Sequence, residues 1–195
     1  RTGRSWRSPG FFGNRFQEQW ENVCTCGGRH GKRRERMTFE RLGQENVGAY
    51  IAYLRTAMRE EPEKMTAETV DEEGIRNRVS DPFYAGTTSI LAMEDGNVVG
   101  RIEYHFYGCM QDGYRMAYVD WVYVLKAYRH RGIAQMLFAE LEKDCGRNGI
   151  DQYYLIRARN EEADRFYGSF RGAAMEDAPI LRRYLEAREP LYPDA

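Results

Sequence analysis

The stretch that most constrains the fold runs from Ala117 to Arg159: "AYVDWVYVLKAYRHRGIAQMLFAELEKDCGRNGIDQYYLIRAR". It opens apolar and β-branched, as strands do. After "KAYRHRG" the period changes. Ala134, Leu137, Phe138, Leu141 and Cys145 fall at i, i+3, i+4, i+7 and i+11, one stripe of a helix. Gln135, Glu140, Glu142, Lys143 and Asp144 are placed away from that stripe. Gly146 and Gly149 offer C-terminal stops. "DQYYLIRAR" then returns as a strand. Strand, helix and strand in so few residues need a crossover connection, so the two strands pair in parallel.

The flanking segments add antiparallel structure. "MTFERL" alternates and suits a short strand. "ENVGAYIAYLRTAMREE" puts Val47, Tyr50, Ile51, Leu54 and Met58 on one helical stripe, stopped near Pro62. "TVDEEGIRNRVSD" predicts a weaker helix with Thr69 as its N-cap and acids in its first turn. "TTSILAME", Asp95-Gly96 and "NVVGRIEYHFYG" form a hairpin by the Asp-Gly turn, and "CMQDGY" leads on to the next strand. "NEEADRFYGSF" predicts a helix capped by Asn160, and "PILRRYLEA" is expected to close the sheet. The fold class is α/β (α+β) with a mixed sheet.

A chain of 195 residues has room for one sizeable core. Hydrophobic residues are 42% and charged residues 30%, an ordinary globular balance. No apolar run approaches the roughly 20 residues of a membrane span, and no secretory signal is visible. Four scattered cysteines make no disulfide framework, so a reducing cytoplasm is expected. Charge is uneven: residues 1–36 hold nine Lys/Arg against three Asp/Glu, and the remainder 20 against 27. Residues 1–36 lack any helical or strand period and are expected to be a basic extension, disordered or non-native. The domain proper is expected over 37–195. Cys24, Cys26 and His30 have a faint metal-like spacing, but a fourth ligand is missing and no metal is expected. "GKRRERM" suggests that translation starts at Met37: Arg33 and Arg34 encoded as AGG-AGG would form a bacterial ribosome-binding sequence.

The turn "YRHRGIAQ" has chemical content. A helix N-terminus carries unpaired N–H groups and about half a positive charge, which suits an anion. Gly132 removes a side chain where a ligand approaches the backbone. Ala134 does nearly the same one position into the helix. Arg129 and Arg131, with Lys126 nearby, add charge suited to a pyrophosphate. Neither the P-loop nor the dinucleotide glycine pattern is present. A basic helix cap without a ligand is the plainer alternative on the turn alone.

"VYVLKAYRHRGIAQMLFAELE" resembles the acyl-CoA-binding motif of the GNAT superfamily of N-acetyltransferases, Arg/Gln-x-x-Gly-x-Gly/Ala, here Arg129 to Ala134. The family's Asn-x-x-Ala-x-x-Phe-Tyr appears as Asn160, Ala163, Phe166 and Tyr167. Both stand in family order, one strand apart, and the resemblance extends from Met37 to the C-terminus. Two departures occur. "LKA" replaces a common proline after the motif strand, and Gly172-Ala173 replaces Gly-Phe. The resemblance implies a mixed, mostly antiparallel sheet with one splayed parallel strand pair and about four helices. It implies acetyl-CoA as co-substrate, with the pantetheine arm along Val122, Tyr123 and Val124. Arg129 and His130 would flank the pyrophosphate, and backbone N–H groups of Arg131, Gly132, Ile133, Ala134 and Gln135 would cradle it. Asn160 would reach the pantetheine arm, with Ala163 and Phe166 beside it, and the Tyr167 hydroxyl would face the thioester sulfur. The plainer alternative for Tyr167 is a core tyrosine on the Ala163–Phe166–Phe170 face.

The general base is less defined. Asp120 is the lone acid in the apolar strand "YVDWVYV", which is similar to the acid-bearing strand of the spermidine/spermine acetyltransferases. Glu103 lies on the neighbouring strand. Either acid takes a catalytic or substrate role, or lies on an exposed sheet face. His130 suits a solvent-facing position. Tyr84 and Tyr104, with Phe83, Phe106 and Tyr107, line an acceptor pocket or fill the core. The acids of "REEPEKMTAETVDEEG" either favour a cationic acceptor or form a solvated helix surface. The resulting expectation is acetyl transfer to a primary amine, on a small molecule or a peptide, by direct attack. The alternative is a non-catalytic acyl-CoA-binding sensor module. No nucleic-acid or membrane partner is expected, and a homodimer would follow family habit.

Overall fold

The computed structural model describes residues 37–181, apart from Thr66, and Arg183. The basic extension, the Cys24/Cys26/His30 spacing and most of "PILRRYLEA" lie outside these described residues. Ile180, Leu181 and Arg183 carry no regular secondary structure, so the expected closing strand does not form at them.

The elements are β1 (Thr38–Arg41), α1 (Val47–Glu60), α2 (Glu72–Arg78), β2 (Thr87–Glu94), β3 (Asn97–Gly108), β4 (Arg115–Val124), α3 (Ile133–Asn148), β5 (Gln152–Leu155) and α4 (Glu161–Gly168). The strands form one five-stranded sheet in chain order. β1 to β4 pair antiparallel, and β4 pairs with β5 in parallel. The parallel crossover is made by α3, as the strand–helix–strand pattern requires. No described helix is long and apolar enough to cross a membrane.

Local chemistry sets the boundaries. Asp95 and Gly96 have φ of 49° and 78°, the left-handed pair that joins β2 and β3 in a two-residue hairpin. Asn160 caps α4 by accepting a 2.8 Å hydrogen bond from the Ala163 N–H. α2 is capped by Asp71, which accepts from Gly74 N–H at 2.9 Å, not by the expected Thr69. A carboxylate nearer the helix opposes its positive end more strongly than a distant hydroxyl does. α3 ends at Gly149 with φ 62°, while Gly146 lies inside the helix.

Two cores cover the two faces of the sheet. On one face Ile90, Ala92, Ile102, Tyr104, Ala117 and Val119 meet Leu137, Phe138 and Leu141 of α3. The other face packs Leu91, Met93, Val98 and Tyr123 against Tyr50, Tyr53 and Ala57 of α1. Each fully buried large side chain contributes about 1.5–3 kcal/mol. Asp144 corrects the expected helix pattern. It is 4% exposed and accepts from the Tyr104 hydroxyl and the Arg41 guanidinium, both at 2.7 Å. An acid on the inner face is tolerated because three donors satisfy it, Asn148 Nδ2 adding a bond at 3.3 Å.

The sheet's alternation breaks once in β4. Glu103 pairs with Trp121, but Tyr104 pairs with Val119, so Asp120 is the extra residue of a β-bulge. The bulge reverses the phase of the strand. Ala117 and Val119 face α3 before it, and Val122 and Val124 face α3 after it. Pairing with β5 also ends at Val119, opposite Leu155. From Asp120 to Val124 the β5 side of β4 is therefore unpaired, and the two strands part.

Candidate active site

A cleft of about 480 Å³ lies on the α1 face of the sheet, within the usual size range of small-molecule sites. Its floor comes from β2, β3 and β4, and includes Ser89, Arg101, Glu103, Asp120 and Trp121. One wall is the side of α1 carrying Leu54 and Met58. Opposite stand Val70, Ile75 and Val79 from the α2 region. Leu54 and Met58 were expected on the buried stripe of α1. They are only half-buried, and Tyr53 and Ala57 take the core positions instead. The helix is rotated so that two apolar side chains are left for the cleft.

The floor is a connected polar network. Arg101 donates to Glu103 Oε2 at 3.0 Å and to the Tyr50 hydroxyl, and Ser89 Oγ donates to the same Glu103 oxygen. The guanidinium lies over the Tyr50 and Trp121 rings, 5.3 and 5.6 Å from their centroids. Burial lowers the pKa of Arg101, but the Tyr50 and Glu103 charges outweigh it and raise the value. Its Nε is buried without a hydrogen-bond partner. Glu103 is thus neutralised and held. Asp120 differs: it is exposed and forms no hydrogen bond or ion pair among the described residues, although it feels the Arg101 charge. The bulge places it at the cleft, beside the point where β4 and β5 part.

Past the bulge, alternation fixes the direction of the backbone groups. Leu125 N–H donates to Val99 O at 3.0 Å, so Leu125 and Tyr123 face β3. Val122 and Val124 consequently present N–H and C=O to the open side. Val124 O is taken by Arg129 Nε at 3.0 Å. That leaves the Val122 groups and the Val124 N–H directed into the gap.

The turn leading to α3 has two left-handed residues, His130 with φ 60° and Gly132 with φ 76°. Gly132 is the N-cap; it offers no side-chain cap, and no acid stands in the first turn. A Cβ added at Gly132 would meet nothing within 4 Å. Met136 N–H makes the first bond of the helix, to Gly132 O at 3.0 Å, so the N–H groups of Ile133 to Gln135 have no intrahelical partner at a positive helix end, which suits a pyrophosphate. His130 and Gln135 are exposed, Ile133 is buried in the α3 core and Ala134 is half-buried.

The two arginines, expected to serve a phosphate, each have a carboxylate partner. Arg129 pairs with Glu61 and lies over the Tyr123 ring at 5.2 Å. Arg131 pairs with Glu94 and lies over Tyr128 at 5.4 Å. Both carboxylates are buried, at 6% and 7% exposure. These guanidiniums hold the turn against α1 and β2, and an anion at the turn would meet chiefly backbone N–H groups.

On α4, Ala163, Phe166 and Tyr167 are half-buried. The Tyr167 ring meets Phe138, Phe166 and Phe170. Burial raises the pKa of its hydroxyl, which makes no hydrogen bond to any described residue. The ring thus belongs to the core edge while the hydroxyl is without a partner.

Of the expected acceptor residues, Glu103 and Tyr84 line the cleft. Tyr104 does not. It is fully buried on the opposite face, its hydroxyl on Asp144. Strand parity separates it from Glu103. Phe83 is 85% exposed, and Phe106 packs on the α3 core. Of the acidic run only Asp71 lines the cleft; Glu61 clamps Arg129, Glu60 accepts from Lys126 N–H at 2.9 Å, and Glu72 pairs with Arg55. Sequence reasoning missed Arg101, Glu61 and Glu94. Arg101 had a signal, two residues before Glu103 on one face of an apolar strand. Glu61 had none, because its partner lies 68 residues away.

The model of the acetyltransferase (GNAT) family matches residues 40–173. No curated protein sequence matches the chain at a comparable level. Among solved structures, a ribosomal-protein-alanine N-acetyltransferase from Brucella melitensis biovar Abortus superposes with a TM-score of 0.58. It is 21% identical and the match covers 76% of this chain and 100% of that one. An aminoglycoside acetyltransferase from an uncultured soil metagenomic sample, in complex with sisomicin, gives 0.65 at 16% identity, covering 77% and 97%. An aminoglycoside N-acetyltransferase in complex with CoA gives 0.61 at 16% identity, covering 79% and 99%. These similarities concern the fold: a mixed sheet with one parallel pair and four helices. With the family match spanning well over half its length, the chain belongs to the acetyltransferase (GNAT) family.

Proposed function

We propose that the protein transfers the acetyl group of acetyl-CoA to a primary amine by direct attack, without a covalent enzyme intermediate. The observation that carries this reading is the coincidence at Asp120. The bulge, the end of β4–β5 pairing and an acid at the mouth of a cleft meet at one residue. A module that only sensed acyl-CoA has no use for a second cleft ending there.

The residues fit acetyl-CoA. Backbone N–H groups from Arg131 to Gln135 would hold the pyrophosphate, and Val122 and Val124 the pantetheine arm, with Asn160 alongside. The thioester supplies an activated acetyl group. Asp120 takes a proton from the bound ammonium, directly or through water, which frees the nitrogen lone pair. Tyr167 gives a proton to the departing sulfur, while the nitrogen sheds its second proton to solvent as the amide forms and solvent reprotonates Tyr167. Glu103, already neutralised by Arg101 and Ser89, is the weaker candidate for base and shapes the acceptor site instead.

Release of free CoA, measured by thiol titration with acetyl-CoA and a panel of amines, tests the proposal. Acetylated amine should form in equal amount to free thiol. Tight acetyl-CoA binding with no acetylation of any amine would favour the sensor module.

A further inference from the structure

The acceptor has to bring an ammonium to Asp120 while the rest of it lies in the cleft, so the cleft walls select its body. Both walls present apolar side chains, alongside Thr69, Asp71 and Arg78 on the α2 side. Leu54 and Met58 of α1 face Val70, Ile75 and Val79 across the gap, and Leu42 and Met65 extend the same surface. Building on the acetyltransferase reading above, we infer that the acceptor is a small primary amine with a single positive charge on an apolar body, and not a polycation.

The charges of the cleft support this independently. Three acids and two arginines line it: Asp71, Glu103, Asp120, Arg78 and Arg101. Asp71 is engaged, capping α2 and pairing with Arg78 at 3.3 Å. Glu103 is engaged with Arg101 and Ser89. Asp120 is left as the acid of the cleft without a bonded partner, which provides for one ammonium. A second ammonium would lie against aliphatic side chains or near Arg101. It would lose hydration without gaining a carboxylate. An apolar body in the same place removes its own surface and that of the walls from water. Of the acids in residues 60–73, Glu60, Glu61, Asp71 and Glu72 have partners, and the exposed Glu63, Glu68 and Glu73 do not line the cleft.

The experiment compares kcat/KM for phenethylamine and hexylamine with that for spermidine and kanamycin, at saturating acetyl-CoA, by free-thiol release. The apolar monoamines should lead by on the order of tenfold or more, the scale of a hydrophobic pocket's selectivity. Met58→Glu adds a carboxylate to the wall. It should cut the phenethylamine-to-spermidine ratio by about tenfold while the KM for acetyl-CoA stays unchanged. Met58→Gln, which adds polarity without charge, gives a second reading should Met58→Glu fold poorly. Spermidine or kanamycin leading in the wild type overturns this inference and leaves the acetyltransferase reading intact. Acetylation of none of the four, with acetyl-CoA bound, overturns both.

Discussion

Arg129, in the turn before α3, is paired with Glu61 at the end of α1, and Glu61 also accepts a 2.9 Å hydrogen bond from the Tyr123 hydroxyl. One buried carboxylate thereby ties the first helix, the fourth strand and the turn before α3 together. Burial by itself would raise the Glu61 pKa. Hydrogen bonds from Lys64, Arg129 and Tyr123 outweigh it and hold the group at about 2. A depressed carboxylate pKa contributes stability above its unfolded value, near 4.3, and the contribution is lost as pH falls through the folded value. Wild-type stability should therefore decline between about pH 4.5 and 2, in part through this group. Glu61→Gln should reduce stability at pH 7 by about 1.5–3 kcal/mol, the scale of a charge-assisted hydrogen bond. It should also flatten the acid limb. Denaturant unfolding at several pH values checks both, and an unchanged acid limb would remove Glu61 from the account.

Gly132 presents a separate test. Its φ of 76° strains any side chain, at a cost of about 1–2 kcal/mol. The empty space around its Cβ position means that no protein atom is displaced by a substitution. Gly132→Val should therefore still fold, with a modestly lower Tm, but lose acetyl-CoA affinity because the isopropyl group fills the pyrophosphate position. Calorimetry on folded variant protein measures this. Full affinity would mean that the turn is only a helix cap.

Tyr104 should matter to stability and not to the acceptor. Tyr104→Phe leaves one lone pair of the buried Asp144 without its donor, which costs about 1–3 kcal/mol. Arg41 still pairs with the carboxylate, so the fold should survive. The KM for the amine should not move. A raised KM with unchanged Tm would return Tyr104 to the acceptor site.

What could be read from the sequence follows from how local each signal is. The helical stripe of α3, the Asp-Gly hairpin and the Asn160 cap are short-range, and each formed where its pattern lay. The parallel pair followed from connectivity. The bulge at Asp120 was harder, because its signature is a change of phase: Ala117 and Val119 are apolar before it, Val122 and Val124 after it. Asp144 looked like a surface acid because its two shortest-bonded partners, Tyr104 and Arg41, lie 40 and 103 residues away. The roles of Arg129 and Arg131 were hidden for the same reason. A basic turn attracts phosphate or buried acid equally well, and only tertiary structure brings Glu61 and Glu94 to it.

The proposed acetyl transfer makes two opposite demands on protons. An aliphatic ammonium with a pKa near 10.4 is deprotonated in only about one molecule in a few thousand at pH 7. Its proton must be removed before the nitrogen can attack, and the departing thiolate must gain one. Among the described residues Asp120 is the cleft carboxylate without a bonded partner, and burial raises the pKa of the Tyr167 hydroxyl. A positioned acid or base typically contributes about 10²–10⁴-fold. Tyr167→Phe keeps the ring that meets Phe138, so packing should survive. Turnover should fall by on the order of 10²-fold with the KM for acetyl-CoA little changed. Asp120→Asn should instead shift the activity optimum to higher pH, where free amine is present without help. The shift should disappear with an acceptor whose amine is already neutral at pH 7. Pre-steady-state kinetics that isolate the acetyl-transfer step decide the matter. Full turnover in Tyr167→Phe with chemistry rate-limiting would assign the acid elsewhere, and an unshifted profile in Asp120→Asn would do the same for the base.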